Sequence, residues 1–123
     1  MKEYLGVPLT FDDLKKLARE HGKIHILAKL ESVNENDYDI FFSDGCSMWP
    51  DQWWKIDLFW ECLWHDILYF LGGTEAQRLE ADERLRDGVG AVAGSVMGAI
   101  MFAGVRAGGW VPGTGFEWGY GKL

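Results

Sequence analysis

A chain of 123 residues is the length of one domain. With 48% hydrophobic and 25% charged residues, its composition is that of a folded globular protein, which excludes wholesale disorder. Nineteen acidic residues against twelve Lys and Arg give a formal charge of −7 with no run of basic residues. That balance excludes nucleic acid as an expected partner and argues against electrostatic docking on strongly anionic membranes, though not against hydrophobic insertion.

The N-terminus lacks the apolar core and small-residue cleavage site of a secretory leader, so the default expectation is a cytoplasmic chain. Thr10 followed by Asp13 has the form of a capping box, and Leu14, Leu17 and Ala18 recur on one face, predicting a short helix that closes at Gly22. Residues 23–32 alternate Ile24, Ile26, Ala28 and Leu30 with polar neighbours, predicting a strand. A turn cluster at 34–37 then lets residues 38–42 pair back as a hairpin.

From Trp53 to Leu71 the pattern is that of a long aromatic helix, capped by Asp51 or Asp57 and stopped by Gly72-Gly73. Thr74 with Gln77 is a second capping box, opening a helix from Glu75 to about Asp87. The short break makes these two helices an antiparallel pair. Residues 88–105 are 18 uncharged positions, barely the length that spans a bilayer and weakly apolar for that task. Gly90, Gly94 and Gly98 in G-x-x-x-G spacing instead predict a third, Gly/Ala-rich helix packed tightly over the pair. The Gly-punctuated aromatic segment after Gly108 is expected to be irregular. The expected architecture is therefore one mainly α domain over 1–123: an antiparallel helix pair, a third small-residue helix, and a small N-terminal helix with a short β-hairpin.

On a helical wheel Cys62, His65, Asp66 and Tyr69 share one face, while Trp53, Trp60, Trp64 and Leu71 gather opposite, a stripe best explained by core packing. His65 lies about six residues before the helix break and Asp82 about eight after it, at heights of roughly 9 and 12 Å on a 1.5 Å rise. The two side chains should meet. A carboxylate on one imidazole nitrogen fixes the tautomer and leaves the other nitrogen to take a proton from water. Asp66 points elsewhere and is free to bind a hard cation, and Tyr69 is placed to donate to Asp82. The alternative is that Asp82 joins Arg78 and Arg86 in a solvated salt-bridge ladder, with Tyr69 a core residue.

Residues 62–69 read C-x-x-H-D-x-x-Y, which resembles the active-site helix of phospholipase A2. Cys46 precedes Cys62 by 16 residues, the spacing at which secreted members of that family place a cysteine of their calcium loop. Asp44-Gly45-Cys46-Ser47 stands at that loop, and Glu80-Ala81-Asp82 is similar to the family's second-helix aspartate. The same H-D-x-x-Y and A-D pattern recurs in short bacterial and phage proteins nearer this chain in size. The resemblance covers 45 to about 87.

It implies that His65 is the general base, oriented by Asp82 with support from Tyr69, and that Asp66 ligates Ca2+ with the carbonyls of Gly45, Ser47 and Trp49. The ion would polarise an ester carbonyl and stabilise the tetrahedral oxyanion. It also implies a Cys46–Cys62 bond, whereas a cytoplasmic chain is expected to keep both thiols reduced. The function expected is a calcium-assisted hydrolase of phospholipid or related ester bonds, with a lipid ester as substrate and peripheral membrane contact. Against this stand the bulky Met48, Trp49 and Pro50 where the family's loop is Gly-rich, and Glu61 where the family has a second helix cysteine. The rival expectation is a non-enzymatic scaffold or interaction protein that keeps the helix pair as a core.

Overall fold

Helix α1 (Phe11–Glu20) begins at the expected capping box: the Thr10 side chain accepts from the Asp13 amide and the Asp13 carboxylate accepts from the Thr10 amide. It buries Phe11, Leu14, Leu17 and Ala18. The computed structural model describes residues 7–42, 52–53, 56–108 and 117–123, with the backbone alone at 52–53 and 56–57. The expected fold class is the one observed: mainly helical, with a small antiparallel strand pair near the N-terminus.

The segment read as a strand is a helix, α2 (Ile24–Ser32). Leu27, Ala28, Lys29, Leu30 and Glu31 are good helix formers, and Ile26 and Leu30, one turn apart, are its buried face. Ile24, which the alternation placed with them, is 75% exposed. The strand pair is instead β1 (Pro8–Leu9) with β2 (Phe41–Phe42), antiparallel, with Leu9 opposite Phe41.

A second antiparallel pair, β3 (Gln52–Trp53) with β4 (Ile56–Asp57), occupies what was expected to be the first turn of the aromatic helix. Helix α3 therefore runs Phe59–Leu71, its N-cap is Leu58, and no side chain caps it, so Asp57 lies in a strand and Asp51 falls outside the described residues. Only Trp60, Glu61 and Asp66 of its thirteen residues escape burial. Trp60 and Trp64 pack in the main core against α1, as expected, with the His21 ring 4.3 and 5.2 Å from theirs.

Helix α4 (Glu75–Ala93) runs past the expected end near Asp87. Gly94, at φ +99°, divides the uncharged run and starts α5 (Ser95–Gly108). Among the described residues no helix is long and apolar enough to cross a membrane. Helix α5 folds back along α4 and seals a second core of Leu58, Cys62, Leu85, Val89, Met97 and Met101. The close approach is at Gly98, where a Cβ would sit 2.5 Å from the Arg86 carbonyl oxygen. Cys62 is disulfide-bonded, contrary to the reduced alternative; Cys46, the other cysteine, falls outside the described residues.

The Gly72 amide closes back on the Leu68 carbonyl at 3.0 Å, and remote groups meet the remaining carbonyls at the end of α3. Gly119 N donates to the Tyr69 carbonyl at 2.7 Å, Gly121 N to Phe70 at 3.0 Å, and the Tyr38 hydroxyl to Leu71 at 2.7 Å. Carbonyls that a helix leaves unsatisfied are thus all bonded, which holds the site-bearing end of α3 against residues 117–123.

Candidate functional site

The Gly72-Gly73 break and the Thr74 capping box turn the chain through an antiparallel pair, and this sets His65 and Asp82 side by side. His65 Nε2 lies 2.7 Å from Asp82 Oδ1. One turn along α3, the Tyr69 hydroxyl donates to the same carboxylate, 2.8 Å from Oδ1 and 3.1 Å from Oδ2. The three residues are buried, Asp82 completely. An ionised carboxylate only accepts, so opposite one Nε2 is the donor, and a neutral ring then carries its lone pair on Nδ1.

The third partner of Asp82 is Arg106 from α5, whose Nη1 is 2.9 Å from Oδ2. Its Nη2 is 2.9 Å from Glu75 Oε1, and Glu75 also accepts from Arg78 Nη1 at 2.8 Å. Arg78, 1% exposed, sends Nη2 to the Arg106 carbonyl at 2.6 Å and so ties the last turn of α5 to the start of α4. The salt-bridge ladder is not what forms: Arg78 serves Glu75 and α5, Arg86 pairs with Asp87 at 3.0 Å, and Asp82 turns inward.

Electrostatics follow this geometry. Burial, then the negative charge of Asp82 and its hydrogen bond, push the Tyr69 hydroxyl far above the usual tyrosine range, so it stays a donor. Desolvation works to lower the Arg106 pKa, but its bonds to Asp82 and Glu75 outweigh it and raise the pKa. Glu75 shows the mirror image: desolvation raises its pKa, and the bonds from Arg78 and Arg106 bring it below the usual value.

Among the described residues nothing bonds Nδ1 of His65, and the ring edges a cleft of about 230 Å³ between α2, α3 and α4. Trp64, Leu68 and Leu85 give this cleft an apolar lining, and Lys23, Arg84, Glu61 and Asp87 line it with both signs of charge. An imidazole fixed through Nε2 by a buried carboxylate, lining a cleft and with Nδ1 unbonded among the described residues, is an arrangement from which a general base can take a proton from water.

His65, Tyr69 and Asp82 are therefore brought together as the sequence predicts. Asp66 stands outside this hydrogen-bonded cluster, partly exposed on α3, and its carbonyl accepts from the Tyr120 hydroxyl at 3.4 Å. Gly45, Ser47 and Trp49 lie outside the described residues, as do Trp54 and the side chain of Trp53. Among the described residues no group of three or more His, Cys, Asp or Glu side chains is gathered to hold a metal.

Two features escaped the sequence reading. Arg106 is the cation that completes Asp82; its signal was being the one charged residue between Asp87 and Glu117. His25 lines the cleft beside His65, a position visible only once residues 24–32 are known to be helical.

No family model matches the chain, and no curated protein or solved structure matches it.

Proposed function

We propose that this protein hydrolyses ester bonds of phospholipids or related lipids, with His65 activating water and Asp82 orienting it. The observation that carries this reading is the 2.7 Å contact of His65 Nε2 with a fully buried Asp82, in a ring that also lines a cleft. In the reaction, water at the cleft gives its proton to Nδ1 as its oxygen attacks the ester carbonyl. The imidazolium so formed is stabilised by Asp82, and it then returns the proton to the departing alkoxide oxygen. Tyr69 and Arg106 hold the carboxylate in place through this cycle. Asp66, with the carbonyls of Gly45, Ser47 and Trp49, is proposed to hold a calcium ion, which would supply Lewis-acid polarisation of the carbonyl.

The test is fatty-acid release from mixed phospholipid micelles, with millimolar calcium and again with chelator, using His65→Gln as control. Calcium-dependent release that disappears in the variant supports the reading; release that persists in His65→Gln removes the dyad from it.

One observation favours a second reading, that of a structural core without catalysis. Asp82 receives bonds from α3 and α5 while sitting on α4, so the same cluster fastens three helices. Denaturation separates the two. A loss of several kcal/mol in both His65→Gln and Asp82→Asn, with no release of fatty acid by the parent chain, makes the pair structural.

A further inference from the structure

We propose that the outward face of α5, joined by Val92 at the end of α4, is a docking surface that settles into the apolar boundary of an electrically neutral bilayer. The proposal stands apart from the ester-hydrolase reading, since it needs no reaction at His65. What carries it is the way charge is kept off one face of a strongly charged chain.

Residues 88–105 hold no charged side chain. The one charged residue of α5, Arg106, is turned inward, with Nη1 on Asp82 and Nη2 on Glu75, both at 2.9 Å. The inner side of α5 is taken up by the fold, where Met97, Gly98 and Met101 are buried against α4. Its outward side is Ser95, Ala99 and Ala103 at i, i+4 and i+8, beside Val96 and Ile100, all exposed. Val96 is 73% exposed, and Ile100 and Val92 are each 46% exposed. Arg86, which borders α5 from α4 with its guanidinium 5.2 Å from the centre of the Phe102 ring, is neutralised by Asp87 at 3.0 Å.

Such a face fits hydrocarbon better than it fits a protein. Three aliphatic side chains and three small ones offer a few hundred Å², short of the roughly 800 Å² that each partner gives to a stable protein interface. The face also holds none of the aromatic or arginine anchors on which such interfaces depend. A bilayer asks for neither register nor directional partners: a helix lying in its surface gains by burying apolar area about 5–10 Å deep, at the acyl boundary. Among the described residues no helix is long and apolar enough to span, so α5 lies on the bilayer rather than across it. The net charge of −7 then selects the lipid, because it opposes an anionic surface and leaves a zwitterionic one as the partner.

The test is flotation of the full chain with vesicles of ether-linked phosphatidylcholine, which has no ester to hydrolyse at its chains, at low and at high salt. Vesicles containing ether-linked phosphatidylglycerol are the comparison. Val96→Asp/Ile100→Asp puts two charges on the face. Val96→Asp alone, in the first turn of α5 where an acid favours the helix, is the variant that keeps the fold. Ile24→Asp adds a charge at a 75% exposed position on α2, away from the face, and circular dichroism checks all three. The expected result is flotation with phosphatidylcholine at both salts and no gain with phosphatidylglycerol. Binding should fall at least about tenfold in the double variant, fall in the same direction in Val96→Asp, and stay unchanged in Ile24→Asp. No flotation with phosphatidylcholine, binding only to phosphatidylglycerol and lost at high salt, undiminished binding in Val96→Asp, or equal loss in Ile24→Asp overturns the proposal. So does a dimer that Val96→Asp dissociates in a chain that does not float, which makes the face a contact between copies. Flotation by a chain that releases no fatty acid from ester micelles keeps the surface and removes the hydrolase reading; release without flotation does the reverse.

Discussion

Arg106 reaches back from the last turn of α5 to place Nη1 2.9 Å from Oδ2 of Asp82, on the carboxylate oxygen that His65 does not use. Asp82 is fully buried and the Arg106 side chain is 27% exposed, so this pair is shielded more than a surface ion pair is. Removing one partner strands the other charge. Arg106→Gln should therefore cost on the order of 2–4 kcal/mol, below the full cost of a broken buried pair because Tyr69 and His65 still serve the carboxylate. Urea denaturation measures this directly, and a cost under about 0.5 kcal/mol would show the pair to be no stronger than a solvated one.

Tyr69→Phe offers a cleaner probe, because the ring and its 5.0 Å edge contact with Trp118 remain while two bonds to Asp82 disappear. The expected loss near neutral pH is about 1 kcal/mol. The pH dependence has a definite sign. The folded-state pKa of Tyr69 is raised by burial and by Asp82, so its contribution is intact below the unfolded value near 10 and fades as pH rises above it. The stability gap between parent and variant should shrink in that alkaline window. In an absorbance titration of tyrosinate the variant should lack the parent's last-ionising step; a parent Tyr69 that ionises with the exposed tyrosines sinks the assignment.

How much of this was legible beforehand depended on whether local chemistry decided the outcome. Thr10 and Thr74 each satisfy helix amides within their own first turn, and Gly72 ends α3 at φ +74°, so those boundaries could be read from neighbours alone. His65 and Asp82 met because a tight break between helices converts spacing into height. Residues 24–32 could not be read this way. Ile26 and Leu30 satisfy a period of two and a period of four alike, and only packing shows that Ile24 belongs to neither face of the core. That one misreading hid His25, Lys29 and Ser32, which at i, i+4 and i+7 line one hollow together. Arg106 was hidden for another reason: its partner lies 24 residues away, and the contact exists only because Gly98 lets α5 close on α4.

The G-x-x-x-G glycines are not equivalent, and substitution should separate them. A Cβ on Gly98 would meet the Arg86 carbonyl at 2.5 Å and the Gly90 amide nitrogen at 3.2 Å, both backbone atoms that cannot swing aside. Gly98→Ala should therefore push α5 off α4 and cost about 1–3 kcal/mol, loosening Arg106 from Asp82 as it does so. On Gly90 the nearest atom would be the Ser95 Cα at 3.9 Å, ordinary contact. There alanine should stabilise by up to about 1 kcal/mol, through helix propensity and a less flexible unfolded chain. Thermal denaturation of the two variants checks the pair of signs, and destabilisation of similar size at both sites would mean that α5 does not pack through Gly98 as described.

Gly121 is where residues 117–123 lock onto the end of α3. Its amide donates to the Phe70 carbonyl at 3.0 Å, its carbonyl accepts from Asp39 N at 2.8 Å, and an added Cβ would run into the Phe70 ring. The ring cannot retreat: Phe70 is 1% exposed, with the Phe41 ring edge-on at 5.2 Å and the Tyr120 ring at 5.6 Å. Gly121→Ala must displace the C-terminal segment instead, leaving the Tyr69 and Phe70 carbonyls without their donors from Gly119 and Gly121. Two lost backbone bonds and a disturbed ring contact amount to roughly 2–3 kcal/mol. Hydrogen exchange gives the specific readout. The Gly119 and Gly121 amides should lose protection in the variant, while the Cys62 amide, bonded to Leu58 at the other end of α3, keeps it. Uniform loss along all of α3 would mean that the C-terminal segment is part of the folding core rather than a clamp on one helix end.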